Sequence, residues 1–320
     1  MNYTEGTKVL DGWTIVRELG RGSLGTVYQI ERKDEYGIYE HSALKVISMP
    51  PTSSEVIYDV LCVMRETKEY YYHLHPEAID YGHFVRYEAH EMVKHEDGIG
   101  CDILIRMELL TPLSEYCLSH KMDEKDIIHM GWALTDTLGY CDQKGFMHRD
   151  IKPQNIFVSP VGSFKLDTFG MARKKRRMIN VFGMARKKRR MINVLRKGTE
   201  DYMAPEVYLR HRYGAPASIY SLGLVMYKCA NYGRLPFLPL PPTQPSVDDQ
   251  EQALQKRMNG VPLLPPAEAG EGLSAIILKA CAYDRKQRYR DVGKLMADLD
   301  ALWDSVKKQE KNRGYLTTKK

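Results

Sequence analysis

The sequence lacks any long apolar run: across its 320 residues the longest apolar stretch, Ile219 to Ala230, is interrupted by Ser221, Gly223 and Lys228. A membrane-spanning helix needs about 20 consecutive, mostly apolar residues, so no span is expected. It also lacks a basic segment leading into an apolar one near its start, the mark of a secretory leader, and a cytoplasmic protein is the expectation. Cysteine is sparse and scattered: Cys62, Cys101, Cys117, Cys141, Cys229 and Cys281 form no C-x-x-C pair, which excludes a zinc knuckle or a dithiol redox motif and leaves reduced, mostly buried thiols. His90, Glu91 and His95 miss the helical zinc-protease spacing by one residue, because that motif needs its two histidines at i and i+4. Compositional disorder is excluded as well, since 43% of residues are hydrophobic and 28% charged.

What is present divides into a strand-rich beginning and a helical remainder. Residues 11 to 50 alternate short apolar segments (Trp13 to Val16, Thr26 to Ile30, Ala43 to Ile47) with glycine and charged turns, a pattern of antiparallel strands. From Thr52 to Tyr72 the spacing becomes helical, with Val56, Val60 and Met64 on one stripe and a capping box from Thr52 to Glu55. A strand pair ending at Ile103 to Leu109 follows, then helical patterns at 123–144, 218–230, 272–282 and 291–306. Pro236 to Pro245 and Pro262 to Pro266 are connectors, and Lys307 to Lys320 is expected to form a mobile basic tail.

One repeat interrupts this order. Phe169 to Val181 and Phe182 to Val194 are the same thirteen letters, FGMARKKRRMINV. A solenoid needs at least three longer units, so this is a tandem duplication inside one loop. Each copy carries five cationic residues, Arg173 to Arg177 and Arg186 to Arg190, and losing one copy would take the net charge from +6 to +1. A loop so charged repels itself; at 173–197 it offers a surface for an acidic partner, although a solvated charged loop has the same composition. No aromatic residues interleave the basic runs, so base stacking is not supported and nucleic acid is not the expected partner.

The chemistry-bearing motifs start at Leu19-Gly20-Arg21-Gly22-Ser23-Leu24-Gly25-Thr26-Val27, a G-x-G-x-x-G-x-V loop between strands whose missing side chains let backbone amides approach phosphates; a plain hairpin turn reads the same. Lys45 then sits in the apolar strand Ala43 to Ile47, where an ammonium is costly unless paired; Glu66 and nucleotide phosphates are candidate partners, with Glu69 a competitor. Met147-His148-Arg149-Asp150-Ile151-Lys152-Pro153-Gln154-Asn155 follows an amphipathic helix, and Gly198-Thr199 precedes Tyr202-Met203-Ala204-Pro205-Glu206.

Taken together in this order, the motifs closely resemble those of the protein kinase superfamily, serine/threonine type, along nearly the whole chain. The Pro-rich stretch after Phe237 and the YDRKQRY segment resemble bacterial kinases of that type. The resemblance implies a two-lobed α+β fold: a kinase domain over 1–306, with an N-lobe over about 10–106, a hinge at 107–112, a C-lobe over 113–306 and the tail at 307–320. It implies ATP between the lobes, its adenine in a slot of Leu19, Val27, Ala43 and Met107 beside hinge residues Glu108 and Leu110, its phosphates near Gly20, Gly22, Gly25 and Lys45, and Mg²⁺ on Asn155. Asp150 would orient the acceptor hydroxyl of a protein Ser or Thr, Lys152 would neutralise phosphoryl charge, Glu66 would pair with Lys45, and Arg288 would bridge to Glu206.

Two positions depart from the family pattern. Where kinases carry Asp-Phe-Gly, this sequence reads Asp167-Thr168-Phe169-Gly170, so Thr168 occupies the metal-binding aspartate's place. Ser218 stands where kinases usually carry an Asp bonded to the catalytic-loop backbone. A hydroxyl cannot substitute for a carboxylate on Mg²⁺, so a nucleotide-binding pseudokinase is the alternative expectation, and a polyanion-binding module acting through the basic loop is a second. Asp167 sits one residue early, and in an extended segment neighbouring side chains point to opposite faces.

Overall fold

The computed structural model describes residues 3–22, 25–49, 82–96, 100–143, 148–167, 200–210 and 214–317. The helix expected over 52–72, which carries Glu66, and the stretch 168–199, which carries Thr168, the duplication and Thr199, lie outside the described residues. The chain forms two compact units, one made of residues 3–111 together with Asp167 and one made of residues 112–166 and 200–317.

The first unit is a six-stranded antiparallel sheet: β1 (Lys8–Val9), β2 (Trp13–Gly22), β3 (Gly25–Lys33), β4 (Tyr39–Met49), β5 (Tyr87–Lys94) and β6 (Cys101–Met107), in spatial order β1-β2-β3-β4-β6-β5. Alternation decides its two faces. Trp13, Ile15, Tyr28, Ile30, Leu44, Val46 and Leu104 bury one face as a core, with Arg32 and Arg106 guanidinium groups 5.0 and 4.6 Å from the Trp13 ring centroid. Their strand neighbours Val27, Ala43, Lys45, Ile105 and Met107 therefore lie on the opposite face. The β3–β4 turn is made by Asp34, whose carboxylate accepts the backbone N–H groups of Tyr36 and Ile38 at 2.9 and 2.8 Å.

The second unit is helical: α1 (Leu113–Ser119), α2 (Glu124–Gln143), α3 (Pro205–Arg210), α4 (Ala215–Cys229), α5 (Val247–Met258), α6 (Glu271–Ala280) and α7 (Val292–Thr317), with a short antiparallel pair, β7 (Ile156–Val158) and β8 (Phe164–Leu166). Ile127, Ile128, Met130 and Leu134 of α2 pack with Leu222 to Met226 of α4, Leu273 and Ile277 of α6, and Leu295 and Leu299 of α7. Helix α4 is mostly apolar, and ten of its fifteen residues are buried, with Ser218, Ser221 and Lys228 among the half-buried remainder.

The expected strands and four long helices are all present, and the Pro-rich connectors join α4 to α5 and α5 to α6. Helix α7 continues past Val306 to Thr317. Trp303 and Val306 anchor it on the core, and the following Lys-Lys-Gln-Glu-Lys residues have high helix propensity, so a helix already nucleated propagates without apolar periodicity.

Candidate active site

In the first unit, strand register builds one working face. Lys45 is paired across the sheet with Val27 and Ile105, and Ala43 with Met107, which in turn faces Tyr87. Directly opposed residues share a face, so the expected adenine-slot residues Val27, Ala43 and Met107 lie around Lys45. Leu19 falls in a register shift of β2 between Glu18 and Gly20. Glu108 is fixed by two bonds: its N–H donates to the Arg86 carbonyl at 3.1 Å, and its carboxylate accepts the Arg86 N–H at 2.7 Å. Leu110 is half-buried.

The glycines of the loop differ in kind. Gly25 has φ +143°, and a Cβ there would lie 2.0 Å from the Val46 carbonyl oxygen, so the fold itself demands glycine. At Gly20 a Cβ would meet nothing within 4 Å, and at Gly22 only the Gly25 carbonyl oxygen at 3.9 Å.

Lys45 is buried, and its Nζ lies 3.3 Å from an Asp167 carboxylate oxygen. The other Asp167 oxygen accepts a short hydrogen bond from the Tyr87 hydroxyl. The sequence assigned Lys45 the partners Glu66 and phosphate, and it missed Asp167 and the Tyr87 hydroxyl that bonds Asp167. The signal was available in principle, since Tyr87 is the cross-strand neighbour of Met107 and so shares the face of Lys45.

In the second unit Asp150, Lys152 and Asn155, the residues expected to form the catalytic loop, are brought together. Lys152 Nζ lies 3.0 Å from Asp150 Oδ2, and Asn155 Nδ2 donates to the same oxygen at 2.8 Å and to the Asp150 carbonyl at 2.8 Å. Asn155 ends the 3₁₀ turn Pro153–Asn155, and its own N–H bonds the Lys152 carbonyl at 2.9 Å. Arg149 holds φ +66°, a left-handed conformation costing a non-glycine residue on the order of 1–3 kcal/mol, which the surrounding packing must offset. Its neighbour His148 is buried and accepts the Asp150 N–H at 3.4 Å.

The end of the following segment is clamped too. Arg288 donates to both carboxylate oxygens of Glu206 at 2.8 and 2.9 Å, and to the carbonyls of Ala282, Pro216 and Tyr283. Tyr202 is held at its backbone by the Ser221 hydroxyl, 2.7 Å from the Tyr202 carbonyl, and at its phenol by Lys228 Nζ at 3.4 Å; burial pushes that phenol well above its ordinary pKa. Ser218 lies in the first turn of α4 and is half-buried.

Among the described residues no three or more His, Cys, Asp or Glu side chains are grouped to hold a metal. Magnesium does not need such a cage, because it keeps waters and takes one or two protein oxygens beside phosphate. Asn155 fits that requirement: its Nδ2 is committed to donation, which leaves Oδ1 as a hard oxygen donor. No helix among the described residues is long and apolar enough to cross a membrane.

Comparison with known proteins accords with this arrangement. The family profile described as protein kinase domain matches residues 13–297. Mitogen-activated protein kinase kinase kinase 1 of Arabidopsis thaliana is 30% identical over 247 residues, 76% of this chain and 36% of its own length. Probable serine/threonine-protein kinase PknB of Lactococcus lactis is 23% identical over 292 residues, 90% of this chain and 42% of its own. Serine/threonine-protein kinase PknB of Mycobacterium tuberculosis is 28% identical over 191 residues, 55% of this chain and 28% of its own. The chain belongs to the protein kinase family. It spans less than half the length of these relatives.

Proposed function

We propose that the protein transfers the γ-phosphoryl group of Mg·ATP to Ser or Thr hydroxyls of a protein substrate. The observation that carries this reading is the Asp150 carboxylate, oriented at one oxygen by Lys152 at 3.0 Å and by Asn155 at 2.8 Å. A carboxylate fixed in this way accepts a hydroxyl proton as the acceptor oxygen attacks, and the adjacent ammonium stabilises charge on the moving phosphoryl group. Phosphoryl transfer asks the protein mainly for positioning and electrostatics, and both are supplied by this triad. A magnesium ion, when bound with nucleotide at Asn155 Oδ1, would neutralise phosphate charge. Gly20 and Gly22 support close approach of a phosphate chain, since no neighbouring atom among the described residues explains the missing side chains. Lys45 supplies the cation on that unit, held by Asp167, whose other carboxylate oxygen takes the Tyr87 hydroxyl.

A second reading, nucleotide binding without turnover, draws support from Asp167. Its carboxylate is engaged by Lys45 and Tyr87, and the next residue is Thr168 where kinases carry the metal-binding aspartate. Transfer of radiolabelled phosphate from ATP to a generic protein acceptor by the purified chain separates the two. Incorporation abolished by Asp150→Asn supports the kinase; no incorporation, with ATP still raising the melting temperature, supports the second reading.

A further inference from the structure

The first unit buries a hydroxyl group beside the cation of the nucleotide site. Tyr87 opens β5 and pairs with Met107 across the sheet, and a bulge between Tyr87 and Ala89 sets its aim apart from the rest of the strand. Its neighbour Glu88 is held on the opposite face by Arg106 at 2.9 Å and Ser42 at 3.2 Å, so Tyr87 lies on the face of Lys45. There its hydroxyl donates to one carboxylate oxygen of Asp167, and Lys45 Nζ lies 3.3 Å from the other. All three residues are buried. Phenylalanine would bury the same ring, and what tyrosine adds is the bond to Asp167.

We propose that Tyr87 is a positioning residue for nucleotide phosphate: by occupying one oxygen of Asp167 it keeps Lys45 on the other, with the ammonium presented to the phosphate chain. This role rests on the reading that Lys45 takes nucleotide phosphate, and it adds the group that sets the lysine. An ammonium carries three protons and a carboxylate two oxygens. A buried carboxylate with both oxygens unclaimed takes as many of those protons as geometry allows, because charge-assisted bonds are strong at low dielectric. Phosphate oxygens would then compete with Asp167 for the same protons. The Tyr87 hydroxyl withdraws one oxygen from that competition and draws carboxylate charge toward itself. It also fixes the carboxylate plane, which gives Lys45 Nζ one place to sit.

The test is isothermal titration of the full-length chain with ATP and with adenosine, which shares the base and sugar but carries no phosphate. Tyr87→Phe keeps the ring; it should raise the Kd for ATP about tenfold, the size of one hydrogen bond to a charged group, and leave that for adenosine within about twofold. Asp167→Asn removes the charge and should weaken ATP at least as much. Adding Tyr87→Phe to it should cost nothing more, because the hydroxyl acts through the carboxylate. Unchanged ATP binding in Tyr87→Phe overturns the proposal, as do additive losses in the double variant. Equal loss of ATP and adenosine overturns it too, by making the hydroxyl structural. A wild-type chain that binds ATP no more tightly than adenosine overturns the assignment of Lys45 to phosphate as well. The expected binding pattern in a chain that transfers no phosphate supports the role of Tyr87 and removes only the transferase reading.

Discussion

Lys45 and Asp167, 122 positions apart in sequence, meet as a buried ion pair at 3.3 Å, each with about a tenth of its side chain exposed. Removing one partner of such a pair leaves a buried charge uncompensated, which costs about 3–5 kcal/mol, while replacing both with apolar groups is often near neutral. Lys45→Met and Asp167→Leu singly should each lower the urea unfolding midpoint clearly, and the double variant should recover part of the loss. Additive losses in the double variant would mean the two groups are not coupled.

The glycines of the loop should separate fold from ligand. Gly25→Ala forces a side chain into the Val46 carbonyl and should destabilise the sheet, seen as a lower melting temperature. Gly20→Ala and Gly22→Ala meet open space and should leave the melting temperature within about a degree, yet raise the KM for ATP several-fold. Unchanged ATP binding in both would remove the phosphate from this loop.

Asp150→Asn should lower phosphotransfer by about 10²–10⁴, the usual contribution of a positioned base, while nucleotide-induced thermal stabilisation persists. Thr168→Asp adds a carboxylate where kinases place their metal ligand, and it should raise activity by roughly a hundredfold, most at low Mg²⁺. A parent enzyme already fully active and unmoved by Thr168→Asp would assign the metal to other groups.

Arg288 is fully buried, and its guanidinium serves Glu206 at both oxygens. Arg288→Lys keeps the charge and loses the fork, so it should still destabilise by about 2–4 kcal/mol in chemical denaturation. An unchanged midpoint would show the pair to be replaceable by a point charge.

Asp102 gives a pH prediction. Burial pushes its carboxyl up, but hydrogen bonds from Ser48 at 2.6 Å, His95 at 3.0 Å and Tyr3 at 2.9 Å outweigh that and hold its pKa below the ordinary 3.8. A folded value below the unfolded one stabilises the protein fully above roughly pH 4, and the gain vanishes as pH falls through the folded value. Asp102→Asn should therefore be less stable than wild type by about 1–3 kcal/mol at pH 6, with the gap closing in acid. A gap independent of pH would exclude the carboxylate as its cause.

How far the sequence reaches is clear from particular elements. Helices α2, α4 and α6 and the strands around Lys45 were legible because burial of one face imposes a period on the letters. The contacts of Asp150 with Lys152 and Asn155 lie within one short stretch of sequence, so their proximity was legible too. Helix α5 was not legible: it buries little beyond Ala253, Arg257 and Met258, and a capping box of Ser246 and Asp249 starts it instead of an apolar stripe. Neither was the extension of α7, which rests on propensity beyond its last core contact.

By itself, then, the sequence determined the family, the strand-rich beginning and the long helices that follow it, because these are local patterns of period and spacing. Only the tertiary structure decided which charges meet. It set Asp167 on Lys45, Tyr87 on Asp167 and Glu206 on Arg288, pairs 80 to 122 positions apart in the chain and in no periodic relation. Such pairs are fixed by strand register and helix packing, and a buried charge takes whatever partner that packing delivers.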